Sequence, residues 1–286
     1  MKTKKNSIVV IILICIMALN CANKATANNS ILIQSKDRNI STVALTQSAQ
    51  IISSRLKDYS SDKFELTIIP EKKQIQLVFT ENWDLKVAEK LLIQKGKIGF
   101  YKTYNRKSLS MLLKEDYRLF LLLKAKETSN SDARIGCCSI TESTKVNDCL
   151  KTLKLNKKCK FVWSLPSDSL DICLYALRLE KSKGALLSGT DIESMKSGMG
   201  NGLKTQYVEI NFKKPSIALW ANITKQNIGY PIAIVLDNKL LCAPVVNQTI
   251  ESGKSQIAGN FTESEVKLIA ALGNNGELPV SFEVLK

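Results

Sequence analysis

The stretch YPIAIVLDNKLLCAPVV (residues 230–246) decides the fold near the C-terminal end of the chain. Two apolar runs flank the polar pair Asp237–Asn238, and runs of Val, Ile and Leu are typical of half-buried strands. Asp and Asn tolerate the left-handed backbone of a tight turn. Pro244 lacks an amide hydrogen, so we expect it at a sheet edge or bulge. The stretch predicts a β-hairpin and indicates no chemistry.

Regular elements precede this hairpin in the N-terminal part of the chain. Leu45, Ala49, Ile52 and Leu56 recur at helical spacing, which predicts one amphipathic helix. Alternating apolar residues predict strands before and after it, and Gly96 is placed to end a second helix. The order up to residue 104 is strand, helix, strand, strand, helix, strand. This order predicts a ferredoxin-like α+β fold, an antiparallel sheet with helices on one face.

The C-terminal part continues with alternating strands and helices. Pro215 is placed to open a helix, and Thr262 with Glu265 predicts a capping box at the start of a later one. Gly273 is placed to close that later helix. The glycine-rich segment Lys196–Lys204 predicts a flexible connection.

The chain is basic, with 41 Lys and Arg against 26 Asp and Glu among 286 residues, a formal net charge of +15. Such an excess suits nucleic acid, an anionic membrane face or solubility. The lysines are scattered and no basic groove interleaved with aromatic residues is present, so we expect no nucleic-acid partner. A diffuse basic surface near anionic lipid and plain solvation both remain open.

The N-terminus predicts export. The apolar run Ile8–Leu19 is shorter than the roughly 20 residues of a membrane-spanning helix and suits a signal peptide of residues 1–20. Cys21 is then the lipid-modified first residue of a lipoprotein. Alternatively, the small residues of Ala25–Ala27 direct ordinary cleavage before Asn28. An uncleaved anchor is a third alternative.

Six further cysteines suggest disulfides, because an even number in an exported chain is typical of them. The sequence leaves their pairing open, and buried free thiols are the alternative. Metal binding is disfavoured because the chain has no histidine and no CxxC motif. The six are Cys137, Cys138, Cys149, Cys159, Cys173 and Cys242.

The residue inventory does not favour an enzyme. Without histidine there is no Ser-His or Cys-His nucleophile, and SGTDIESMK lacks the S-x-x-K spacing of Ser-Lys catalysis. No phosphate-binding loop is present, and the carboxylates are scattered. We therefore predict a non-enzymatic binding or scaffold protein with no cofactor and no metal.

The C-terminal stretch TKQNIGYPIAIVLDNKLLCAPVVNQTIESGKSQIAGNFTESEVKLIAALGNNGELPVSFEV resembles the end of the first periplasmic domain of the SecD/SecDF protein-export family. Upstream, ALTQSAQIISSRLKDY and GKIGFYKTY resemble the base of that domain, and TKVNDCL, CKFVWSL and LYALRL resemble its head. The likeness runs from about Ser41 to Lys286. The motif residues that carry it are Asn227, Gly229, Asp237, Ala243, Pro244, Gly253, Gly259, Asn260 and Phe261.

The resemblance implies a ferredoxin-like base interrupted by a second α+β subdomain, the head. The implied division is a signal peptide (1–20), a polar tether (21–30), the first part of the base (31–104), the head (105–261) and a closing helix and strand of the base (262–286). The family's glycine-rich segment is replaced by ILIQSKDRN. The chain ends at FEVLK, where the family's remaining membrane helices begin, so we expect a freestanding relative without motor function.

In the family, this domain is thought to capture polypeptide on the outer side of the membrane. Two functions follow as hypotheses. The first is passive binding of unfolded or exported polypeptides in the periplasm or cell envelope, through exposed apolar side chains and a strand edge on the head. The second is a scaffold that docks on an envelope protein complex. Either protein would sit outside the cytoplasm, held at a membrane by the lipid on Cys21.

Overall fold

A computed structural model describes residues 29–285, except 81, 115, 125–130, 154, 156–157, 167–169, 181–183 and 201–204. The predicted signal peptide, both processing sites and residues 201–204 of the glycine-rich connection lie outside the described residues. The prediction of a flexible connection is wrong for Lys196–Met199, which end a strand. The strands are β1 (Ser30–Ser35), β2 (Phe64–Ile69), β3 (Gln74–Phe79), β4 (Ile98–Tyr104), β5 (Arg134–Ser139), β6 (Cys159–Ser164), β7 (Asp171–Arg178), β8 (Leu187–Ser188), β9 (Ile192–Met199), β10 (Gln206–Phe212), β11 (Ile232–Leu236), β12 (Lys239–Cys242), β13 (Lys254–Ala258) and β14 (Phe282–Leu285). The helices are α1 (Thr42–Tyr59), α2 (Leu85–Ile93), α3 (Arg106–Leu113), α4 (Arg118–Leu121), α5 (Ser143–Thr152), α6 (Lys214–Gln226) and α7 (Glu263–Asn274).

The base is a four-stranded antiparallel sheet in the order β14-β1-β3-β2. Alternate residues along β1 and β3, such as Ile33, Ile75 and Leu77, are buried. Helices α1 and α2 pack on this sheet, and α7 packs against both of these helices. The predicted ferredoxin-like α+β class is confirmed. The fourth strand is β14, however, and not β4, which pairs with β11 in another sheet.

The second sheet has seven strands in the order β5-β7-β6-β12-β11-β4-β8. An additional pairing of β4 with β7 joins Thr103 to Leu177 and Tyr104 to Ala176. The strands β7, β6, β12, β11 and β4 therefore form a closed ring. Side chains fill a ring of this size, and here a separate apolar cluster includes Tyr101, Val235 and Leu240.

The third sheet, β13-β10-β9, lies against α7 and shares one continuous apolar core with the base. The prediction that Gly273 ends the last helix is wrong, because α7 continues to Asn274 and Gly276, at φ 74°, follows it. A Cβ at position 273 would lie 2.0 Å from the sulfur of Met195 on β9. The glycine therefore permits close packing of helix on strand.

Other local predictions are confirmed. Asp237 and Asn238 have φ values of 48° and 67°, as the tight hairpin turn requires. Thr262 and Glu265 form the capping box of α7. No helix in the described part of the chain is long and apolar enough to cross a membrane.

Candidate functional site

A cleft of about 500 Å³ lies between β13 and the segment 244–248 that follows the hairpin. Trp220, Ile232 and Ile234 contribute apolar lining, and Ser255 and Gln256 of β13 form one side. The indole nitrogen of Trp220 donates to the Ser255 hydroxyl at 2.9 Å, which fixes the ring beneath the strand. We call this feature the strand-edge cleft.

The outer edge of β13 carries backbone groups with no strand partner among the described residues, because β13 pairs only with β10. The amide of Phe212 donates to the carbonyl of Gly253, so that opposed pair is hydrogen-bonded. Bonded and unbonded pairs alternate along an antiparallel ladder. Ser255 and Ile257 therefore bond to β10, while the N–H and C=O groups of Gln256 and Ala258 point away from it.

Exposed apolar side chains lie beside the cleft. Ile228, Tyr230 and Val245 retain 48%, 60% and 38% of their accessible surface. The amide of Gly229 donates to the carbonyl of Val246 at 2.8 Å, which holds these side chains in one neighbourhood. A free strand edge next to exposed apolar surface is the combination that binds extended polypeptides by strand addition.

Four of the motif residues shape this region. Asn227 ends α6 and donates from its side-chain amide to the carbonyl of Ile223 at 2.7 Å. Gly229 and Gly253 have positive φ values of 83° and 67°, and a Cβ on Gly253 would lie 2.6 Å from Ile217. Pro244 lines the cleft, and its carbonyl accepts from Ile232. These residues hold the cleft in shape.

Four other motif residues lie around it. Ala243 is half-buried against the apolar cluster inside the closed ring. A Cβ on Gly259 would lie 2.9 Å from the ring of Phe261, which packs against the main core. Asn260 is exposed. None of the four lines the cleft.

Asp237 lies apart from the cleft and joins the hairpin to the base. Its two carboxylate oxygens accept from the amides of Gly96 and Lys97 at 3.0 and 2.8 Å. Its own amide donates to the carbonyl of Lys97 at 3.0 Å. The hairpin turn is thereby bonded to the loop that leads from α2 into β4, and the role of Asp237 is structural.

Arg55 on α1 completes this junction, and the sequence reasoning missed it. The fully buried guanidinium donates to the carbonyls of Gln94 (2.6 Å), Lys95 (2.8 Å) and Gly276 (2.6 Å). Burial lowers the pKa of Arg55 to about 10, and attraction to Asp237 opposes that shift. The available signal was its position: Arg55 follows Ile52 by three residues, which places it on the apolar face of the helix.

Two of the six cysteines are bonded. Cys137 and Cys173 lie opposite each other on β5 and β7 and form a disulfide. Cys138, Cys149, Cys159 and Cys242 are free thiols. Burial raises the pKa of both Cys159 and Cys242 to about 12, so these two thiols are neutral near pH 7 and poor nucleophiles.

The described residues contain no group of three or more Cys, Asp or Glu side chains arranged to hold a metal ion. The cleft side chains are apolar or neutral, so the arrangement offers contact surface and backbone hydrogen bonds.

Comparison with known proteins places this geometry in context. Residues 175–280, which include all the residues that line the cleft, match the family model described as SecDF, P1 head subdomain. The protein translocase subunit SecD of Calditerrivibrio nitroreducens is 29% identical over 136 residues, covering 43% of this chain and 26% of that protein. The SecD subunit of Mycobacterium tuberculosis is 33% identical over 102 residues, covering 35% of this chain and 18% of its own length.

The chain therefore spans about a quarter or less of the length of these SecD relatives. A solved structure titled "Structure and function of a membrane component SecDF that enhances protein export" aligns over 90% of this chain and 98% of its own, with a TM-score of 0.53 and 19% identity. That identity supports a shared fold alone. Together, the sequence match at 175–280 and the fold match over nine-tenths of the chain show that this protein is similar to the first periplasmic domain of SecD and SecDF.

Proposed function

We propose that this protein binds unfolded or exported polypeptides passively, in an extended conformation, at the strand-edge cleft. The single observation that carries the proposal is the outward-facing backbone of Gln256 and Ala258 beside the apolar floor of the cleft. A bound chain would add a strand to β13 and place alternate side chains in the cleft. The backbone groups give affinity for any sequence, as a protein with many clients requires.

The cleft is favoured over a larger groove, of about 950 Å³, between α1 and β2. That groove lies outside the matched residues 175–280, whereas the cleft lies within them and is shaped by four motif residues. We propose that the cleft belongs to the head (105–261), inserted between the two parts of the base (31–104 and 262–286). The pairing of β14 with β1 supports the closing part of the base, whereas β4 (Ile98–Tyr104), at the end of its first part, pairs with β11 in the seven-stranded sheet.

Binding would use no energy input and no catalysis. Affinity should be modest, because ordering a flexible client consumes much of the contact energy. The net charge, +15 for the full sequence and 15 − 3 = +12 without Lys2, Lys4 and Lys5 of the signal peptide, should speed association with acidic clients at low salt.

Fluorescence anisotropy tests the proposal. Labelled α-lactalbumin that has been reduced and carboxymethylated is titrated with the protein at low and at physiological salt, and native α-lactalbumin is the matched folded control. We expect the unfolded form to bind more tightly, with faster association at low salt. Equal affinity for both forms, or no binding well into the micromolar range, would refute polypeptide capture.

A second candidate function is docking on an envelope protein complex as a scaffold. A second group of exposed apolar side chains favours it: Met111, Tyr117 and Leu121 on and between α3 and α4, of which Leu121 retains 84% of its surface. Crosslinking in cells separates the two functions. Many exported chains trapped at the cleft support capture, and one stoichiometric partner trapped at α3–α4 supports docking.

We also propose an extracytoplasmic location, supported by the likeness to a periplasmic domain and by the apolar run Ile8–Leu19. A lipid on Cys21 would hold the protein at a membrane. Stable anchoring takes more than one acyl chain. Mass spectrometry of the mature N-terminus should find acylated Cys21, and a Cys21→Ser protein should move to the soluble envelope fraction. Asn28 as the first residue would contradict the anchor.

A further inference from the structure

A second cavity, of about 470 Å³, lies on the other side of the hairpin, between α2, the hairpin turn and α7. Leu236, Leu268, Ile269 and Leu272 are buried side chains in its lining. This volume and this apolar lining are typical of small-molecule sites, which occupy about 300–1,000 Å³. We call it the lysine-rimmed cavity, because Lys90, Lys97 and Lys239 are in its lining.

Exposed lysines surround its mouth. Lys90, Lys97 and Lys239 line the cavity, and none of the three makes an ion pair with a described residue. A fourth lysine in the lining, Lys95, is bonded to Glu277 at 3.0 Å. The mouth therefore presents unpaired positive charge above an apolar interior.

The acidic groups in the lining are already bonded to the protein. The carboxylate of Asp237 accepts from two backbone amides, and that of Glu265 accepts from the amide and hydroxyl of Thr262. Neither carboxylate forms an ion pair with the three lysines, so an anion at the mouth would meet ammonium groups that have no ion-pair partner among the described residues.

The interior offers few hydrogen-bonding partners. Among the polar groups nearest it, the carbonyls of Gln94 and Lys95 are taken by Arg55. A buried peptide group without a hydrogen-bond partner is destabilising, so a polypeptide backbone fits poorly here. An alkyl chain has no such groups. Its terminal charge can stay at the mouth among the lysines while the chain enters the cavity.

We propose that the lysine-rimmed cavity binds a single-chain amphiphile with an anionic head group. The acyl chain contacts Leu236, Ile269 and Leu272, and the head group is held by Lys97 and Lys239. Free fatty acids and lysophospholipids share this chemistry. The site is separate from the strand-edge cleft, and its occupation does not depend on polypeptide capture.

Isothermal titration calorimetry of the purified protein with decanoate, below its micelle-forming concentration, tests the proposal. Decanol and decyltrimethylammonium carry the same chain with a neutral and a cationic head. We expect decanoate to bind at least about tenfold more tightly than either, because charge-assisted hydrogen bonds are strong. Lysophosphatidylglycerol compared with lysophosphatidylcholine, which has a zwitterionic head, tests the lipid source in the same way.

Two double variants distinguish an effect of the cavity lysines from an effect of the protein's net charge. Lys97→Gln with Lys239→Gln should weaken decanoate binding about tenfold and leave decanol binding unchanged. Lys196→Gln with Lys225→Gln removes the same charge from exposed positions elsewhere and should change neither. Leu241→Trp, which fills the half-buried wall, should abolish binding of both ligands, with folding checked by thermal melting.

Equal affinity for decanoate and decanol, or equal loss in the two double variants, would overturn the proposal. Absence of decanoate binding would also overturn it. A Gln256→Pro protein should bind decanoate normally, so failure at the cleft and failure at the cavity give different results.

Discussion

Replacing Arg55 with methionine should lower the free energy of unfolding by about 2–6 kcal/mol. Methionine keeps the length of the side chain but leaves the carbonyls of Gln94, Lys95 and Gly276 without their donor. Hydrogen bonds from a charged group contribute about 1.5–3 kcal/mol each. The burial that lowers the Arg55 pKa from 12.5 to about 10 costs roughly 3 kcal/mol. This cost offsets part of the stabilisation from the three hydrogen bonds.

The assay is urea unfolding followed by tryptophan fluorescence, since Trp83 and Trp220 are both buried in the main core. Arg38→Met is the matched control, because Arg38 is exposed. It should change the free energy of unfolding by no more than about 0.5 kcal/mol. A loss below about 1 kcal/mol for Arg55→Met would refute the inference that Arg55 holds the junction between base and hairpin.

Three further predictions concern the thiols and Gly273. Iodoacetamide at pH 8 should alkylate Cys159 and Cys242 far more slowly in the folded protein than in guanidinium, because burial raises the pKa of both to about 12; equal rates in both conditions would contradict this. Reduction of Cys137–Cys173, which are 36 residues apart, should lower the free energy of unfolding by about 3–4 kcal/mol. A Cys137→Ser, Cys173→Ser protein should not respond to reductant, and an unchanged wild-type midpoint would exclude the bond. Gly273→Ala should lower the free energy of unfolding by about 1–3 kcal/mol because the added Cβ meets the Met195 sulfur. Adding Met195→Ala should recover part of that loss. Additive effects of the two substitutions on the free energy of unfolding would show that the two residues do not meet.

Features set by neighbouring residues could be predicted from the sequence. The turn at Asp237–Asn238 and the capping box of Thr262 and Glu265 depend on contacts within four positions. The ferredoxin-like order of strands and helices could also be predicted, because apolar residues recur at a characteristic spacing within each helix and each strand. The resemblance to SecD predicted that the last helix and strand complete the base, and no local sequence pattern indicates this.

Features that depend on distant partners could not be predicted. In the chain, β4 follows α2, as the fourth strand of the base would. The edge of β1 pairs instead with β14, which begins some 180 residues after the end of β4. The pairing of Cys137 with Cys173 depends on the register of β5 against β7. The strand-edge cleft likewise needs four separate segments, α6, β11, residues 244–248 and β13, so the sequence predicted a strand edge on the head without saying which strand.

Amide hydrogen exchange followed by nuclear magnetic resonance tests the central claim most directly, residue by residue along β13. In the free protein, Ser255 and Ile257 should exchange slowly because they bond to β10, whereas Gln256 and Ala258 should exchange fast. Addition of reduced, carboxymethylated α-lactalbumin should slow Gln256 and Ala258 alone. A Gln256→Pro variant lacks the outward amide and should bind weakly, while Gln256→Ala keeps it and should bind as the wild type does. Unchanged exchange at Gln256 and Ala258 with the polypeptide bound would contradict capture by strand addition at this cleft.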